Sequence, residues 1–164
     1  MRGILKWALG GAVVVVGLLA VRSANSPPGA LSAQSALYPA GEGPEILVYK
    51  TPTCGCCGNW VEHMEKAGFR VTVRDTRDIM SAKREARVPT SLLSCHTALV
   101  DGYVVEGHVP ADVVKRMLDE RPEGAGIAVP GMPVGSPGME GGRRQPYQVI
   151  KFARNGATEV YAQR

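Results

Sequence analysis

An α/β fold is predicted for this chain by three features. Apolar residues recur with strand and helix periods in alternation from Glu45 onward, an Asp-Gly pair sits between two apolar triplets, and three cysteines crowd a strand-to-helix junction. The 164 residues leave room for one domain.

The N-terminus is read first. Arg2 and Lys6 precede Trp7–Val21, an uninterrupted run of 15 apolar or glycine residues closed by Arg22. As a helix this run rises about 22 Å, short of the roughly 30 Å hydrocarbon core, so residues 1–22 are expected to be a cleaved export signal or, if uncleaved, an N-terminal anchor. Either outcome places the remainder outside the cytoplasm, in the periplasm or its equivalent, and limits membrane contact to that segment. Residues 23–44 are rich in serine, alanine, glycine and proline without a period, the composition of a flexible tether.

Residues 45–164 are the expected folded domain. Ile46–Tyr49 suits a buried strand, and Thr51-Pro52-Thr53 makes a turn into the cysteines. Trp60, Val61, Met64 and Ala67 then recur at helical spacing up to the stop at Gly68. Phe69–Val73 alternates like a half-buried strand, and Ile79–Arg87 has the alanine and charge content of a short helix. Ala98–Val100 and Tyr103–Val105 flank Asp101-Gly102 as a hairpin. Pro110 and Ala111 open a third helix with Val113, Val114, Met117 and Leu118 on one face. The order β-α-β-(α)-β-β-α is that of a thioredoxin-like domain. Pro122–Pro146 reads as an irregular loop, either disordered or a functional lid, and Tyr147–Phe152 with Thr158–Ala162 as a second hairpin around Asn155-Gly156.

Charge narrows the function. Residues 1–41 carry three basic and no acidic residues, which leaves 16 basic against 15 acidic from Glu42 onward. A nearly neutral domain with no basic run and few aromatics lacks the footprint of a nucleic-acid binder.

The chemistry concentrates in Cys54-Gly55-Cys56-Cys57. Unpaired N–H groups and the dipole at a helix N-terminus favour thiolate, which is both nucleophile and soft-metal ligand. Cys54 and Cys57 have the spacing of a thiol-disulfide pair, whereas Cys56 adds a third thiolate suited to enclosing a metal. Counting back from the Asp-Gly turn sets Cys95 and His96 in the loop that faces this motif. A second register sets Val88-Pro89-Thr90 there instead. Two structural disulfides remain the plain alternative. His63 is expected at the surface, His108 at the entry to the third helix, and Met132 and Met139 in the glycine-proline loop as soft donors or as hydrophobic pins. Cys54, Cys56, Cys57, Cys95 and His96 are thus the expected metal ligands, and this donor set alone leaves zinc open.

Tyr49–Cys57, Ser94-Cys95-His96-Thr97, Gly102-Tyr103, Glu106–Pro110 and Val129–Pro133 together resemble the CopG-like copper-resistance proteins, a family long labelled a domain of unknown function. The resemblance runs from about Ile46 to the C-terminus. It implies a periplasmic thioredoxin-like domain that holds copper, as Cu(I) and in a multinuclear cluster, through the Cys-x-Cys-Cys and Cys-His motifs, and that changes its oxidation state. Copper ions, and an exported copper protein or redox partner, are the implied partners. A metal-free thiol-disulfide oxidoreductase, with Cys54 attacking and Cys57 resolving, and a non-catalytic copper chaperone are the rival readings.

Overall fold

The computed structural model describes residues 41–164. The expected signal or anchor over 1–22 and all but the end of the expected tether lie outside the described residues. No helix among those described is long and apolar enough to cross a membrane.

Over the described residues the fold is mixed α/β, with three α-helices and one seven-stranded sheet. Strand β1 (Glu45–Lys50) leads through α1 (Gly55–Lys66) to β2 (Arg70–Asp75), which lies parallel to it. Helix α2 (Ile79–Glu85) and a 3-10 turn over Thr90–Leu92 precede β3 (Thr97–Val100), antiparallel to β1. The turn at Asp101 and Gly102, both at positive φ (48° and 84°), closes the hairpin to β4 (Tyr103–Glu106). These are the dihedral signs of a type I′ turn, which matches the twist of the flanking strands. Helix α3 (Ala111–Glu120) crosses over to β5 (Gly126–Ala128), parallel to β4, and β6 (Gln148–Phe152) and β7 (Thr158–Gln163) complete the sheet as an antiparallel pair. The strand order is β2-β1-β3-β4-β5-β6-β7.

Strand alternation sorts the core into two faces. Ile46, Val48, Ala98, Val100, Val105 and Ile127 pack with Trp60 and Met64 of α1 and with Val113, Val114 and Met117 of α3. Val104, Ala128 and Phe152 point the other way and meet Val88 and Leu92. Trp60, Met64 and Met117 are fully buried, each worth about 1.5–3 kcal/mol of apolar burial. Burial of Trp60 also satisfies its indole N–H, which donates to Val109 O at 2.9 Å.

Two sequence expectations change here. The stretch expected to be irregular from Pro122 to Pro146 contains β5, an interior strand of the sheet, which joins the second hairpin to the first. Val88, in the alternative register for the loop facing the cysteines, instead packs against Leu92 and Phe152 on the second face, and all described peptide bonds are trans.

Candidate metal centre

The cysteine motif is built by the turn between β1 and α1. Cys54 N donates to Thr51 O at 3.1 Å, closing the turn, and Cys54 becomes the N-cap of α1 with its sulfur accepting from Cys57 N at 3.3 Å. Capping by sulfur answers one of the orphan N–H groups that a helix N-terminus always leaves. Cys54 and Cys57 are joined as a disulfide, while Cys56 and Cys95 are free. The arrangement with two disulfides is therefore not the one formed. Cys56 Sγ lies 3.5 Å from Cys54 Sγ.

Cys95 comes from the loop entering β3 and completes a group in which the sulfurs of Cys54, Cys56, Cys57 and Cys95 all lie within 4.8 Å of one another. Two sulfurs on one ion at about 2.3 Å stand at most about 4.6 Å apart, so these four are close to bonding distance for a shared ion. Four thiolates become available only after two-electron reduction of the Cys54–Cys57 bond.

A second group overlaps the first. Donor atoms of Cys95, His96 and His108 also lie within 4.8 Å of one another, so Cys95 belongs to both. His108 Nδ1 lies 2.7 Å from Pro137 O. A carbonyl only accepts, so Nδ1 carries the proton and the Nε2 lone pair faces Cys95 Sγ at 2.8 Å. A backbone carbonyl that fixes the tautomer in this way is a usual support for a ligating imidazole. His96 Nδ1 lies 3.4 Å from the same sulfur, and its Nε2 is buried with no hydrogen-bond partner. The His96 ring tilts against Trp60 at a centroid distance of 4.3 Å and meets His108 edge-on at 5.0 Å.

Electrostatics keep this pocket uncharged when it holds no ion. Burial, then the neighbouring His108 and Lys83, holds His96 well below the ordinary histidine range, and burial also lowers His108. Burial and the adjacent Cys56 push the Cys95 thiol up to about 12. Neutral imidazoles are ready ligands, whereas Cys95 must lose a proton that its surroundings retain, a cost that a cation at the sulfur offsets. A buried orphan nitrogen, a half-buried reluctant thiol and the neighbouring sulfurs suit a thiophilic ion, and no carboxylate belongs to either group.

The loop after β5 covers the centre. Gly131 N donates to Leu93 O at 3.1 Å and Ser94 Oγ donates to Gly131 O, which ties the loop to the Cys95 segment. Further on, Gly138 (φ +83°) lies against the first turn of α1, where a Cβ would come within 2.6 Å of Cys56 O and 2.8 Å of Trp60 N. Only glycine allows this approach. Met132, 52% exposed, and the half-buried Met139 are carried by the same covering loop.

Of the residues expected to act, Cys54, Cys56, Cys57, Cys95 and His96 come together, and His108 joins them. The signal for His108 was present in the hairpin. Thr97 pairs with Glu106 across the Asp101-Gly102 turn, and the same register carried two residues further sets Cys95 opposite His108. His63, expected at the surface, is half-buried, and its Nε2 accepts from Ala111 N at 3.0 Å, so it caps α3, whose N-cap residue Pro110 has no side-chain acceptor to do so.

The family described as a protein of unknown function, DUF411, matches residues 92–139, the span from the Cys95 loop through the covering loop. No curated protein sequence matches the chain. Two solved structures, named copper resistance protein CopG in forms 2 and 1, are each 47% identical to it. Form 2 matches 75% of this chain and 99% of its own length with a TM-score of 0.71, and form 1 matches 74% and 98% with 0.70.

Proposed function

Because the chain belongs to the CopG family of copper-resistance proteins, we propose that it is an exported, thioredoxin-like copper-binding protein of copper tolerance. Cys54, Cys56, Cys57, Cys95, His96 and His108 hold the copper. The observation that carries this reading is the pair of overlapping donor groups that share Cys95. A thiolate common to two groups can bridge two ions, which supports a multinuclear Cu(I) site. Export rests on the basic and apolar residues up to Arg22, and the thioredoxin-like assignment on the β1-α1-β2 unit joined to the β3–β4 hairpin.

The Cys54–Cys57 bond supports an oxidation-state role. Two Cu(II) ions accept one electron each as the two thiolates lose one each and join, so two Cu(I) ions and one disulfide result. An external dithiol then restores the thiolates, itself becoming a disulfide. The same bond, with Cys54 at the N-cap of α1, is what favours the second reading, a metal-free thiol-disulfide oxidoreductase.

Metal analysis of protein purified anaerobically from the periplasmic fraction of copper-fed cells separates these readings. Copper at one or more equivalents per chain is expected. Stoichiometric zinc with no copper, or no metal with full thiol-disulfide turnover, overturns the copper assignment.

A further inference from the structure

Behind the copper-facing loop lies a buried ion pair that the metal ligands do not use. Lys83 is the buried residue of α2, at 2% exposure, and Glu106, at 0%, ends β4. Glu106 Oε1 accepts from Lys83 Nζ at 2.6 Å and from Ser94 N at 2.7 Å, while Oε2 accepts from Thr97 Oγ1 at 2.6 Å. Lys83 Nζ also donates to Thr97 Oγ1 at 3.1 Å. One carboxylate thus grips the residue before Cys95 and the residue after His96. Gly107 N donates to His96 O at 3.0 Å, which adds a backbone tie between them. Gly107 (φ +71°) has no room for a side chain, since a Cβ would stand 2.7 Å from Val129 O.

A buried ion pair is a weak source of stability, because removing both charges from water costs about as much as their attraction returns. One use of such a pair is to specify geometry. Here the geometry it specifies is that of Ser94-Cys95-His96-Thr97, and so we propose that Glu106, held by Lys83, is a positioning residue that sets the affinity of the Cys95–His96 side of the centre for copper. This inference rests on the copper-binding reading above. Glu106 touches no donor atom. It acts by fixing both ends of the four-residue loop, so that the Cys95 sulfur and the His96 ring meet an ion without reordering the loop. Outer-shell supports of metal ligands are typically worth about 10-fold to 100-fold in affinity.

Three variants of the full chain, Glu106→Gln, Lys83→Met and the double Lys83→Met/Glu106→Gln, test this under anaerobic, reducing conditions. Cu(I) affinity is read by competition with bicinchoninate, stability by thermal unfolding of the copper-free form, and loop order by alkylation of Cys95 relative to Cys56 in the same molecule. The expected result is a loss of about 10-fold to 100-fold in Cu(I) affinity for Glu106→Gln and for the double variant, with faster alkylation of Cys95 in both. The double variant regains the thermal stability that Lys83→Met alone loses through its unpaired carboxylate, but not the affinity. A purely structural role predicts the reverse, affinity following stability. Wild-type affinity in the double variant, or in a folded Glu106→Gln, overturns the proposal. Failure of the wild type to hold Cu(I), with the alkylation shift still present, defeats the copper reading and leaves Glu106 as the organiser of the loop. Unchanged alkylation alongside unchanged affinity defeats the positioning role alone.

Discussion

Replacing Gly138 with alanine tests whether the loop after β5 holds the centre together. The added Cβ would stand 2.6 Å from Cys56 O, and ordinary contact begins at 3.4 Å, so the loop must withdraw by roughly 0.8 Å. Pro137, its neighbour in the chain, accepts from His108 Nδ1 at 2.7 Å, and an equal shift stretches that bond to about 3.5 Å, the edge of a hydrogen bond. Left-handed backbone in alanine costs about 1–2 kcal/mol and the lost bond about 1 kcal/mol. The sum, about 2–3 kcal/mol, is below the usual stability of a domain, so the variant folds with an unfolding midpoint lower by roughly 6–18 °C. With its tautomer no longer fixed, His108 supports copper less well, and Cu(I) affinity falls by about 10-fold. Calorimetry of the copper-free protein and chelator competition on the same preparation measure both effects. A midpoint within about 1 °C of wild type, with unchanged Cu(I) affinity, would refute the argument that this loop presses on α1 and orients His108.

Two further outcomes follow from the same contacts. His63, His96 and His108 all have folded-state pKa values lowered by burial, so below the unfolded value of 6.5 the unfolded chain binds more protons, and stability is complete above that pH and lost as pH falls. Cys95 works at the other end: its thiol, raised from 9.0 to about 12, keeps its proton in the fold, and stability declines as pH rises past 9.0. Thermal unfolding of the reduced, copper-free protein across pH should therefore show a plateau between these limits, and a midpoint still rising as pH falls below 6 would contradict the burial of the histidines. His63→Ala removes the acceptor for Ala111 N and should cost about 1 kcal/mol of stability while leaving Cu(I) retention at the wild-type level. Impaired retention there would place His63 in the centre.

Much of the fold was legible because most elements carry a long enough period. Trp60, Val61 and Met64 mark α1, Val113, Val114, Met117 and Leu118 mark α3, and the Asp101-Gly102 pair fixes the hairpin that carries Cys95. β5 was not legible. Three residues, Gly126–Ala128, offer no period to read, and the strand exists because β4 and β6 pair with it on both sides. The cysteine cluster could be located from spacing and turn counting, since both depend on local chain geometry. His108 demanded the same hairpin register extended past the last paired residues, and its tautomer depends on Pro137, 29 residues away. Nothing in the sequence pairs Lys83 with Glu106, 23 residues further on. Only the packing of α2 over the end of β4 buries them together.

The central claim is that the four cysteine sulfurs hold copper. Its most direct test is Cu(I) retention against a competing chelator, measured anaerobically on reduced protein for the wild type and for a variant with Cys54, Cys56, Cys57 and Cys95 all replaced by serine, its fold verified by circular dichroism. The wild type should retain copper at one or more equivalents and the variant none. Equal retention by the two proteins would contradict the account.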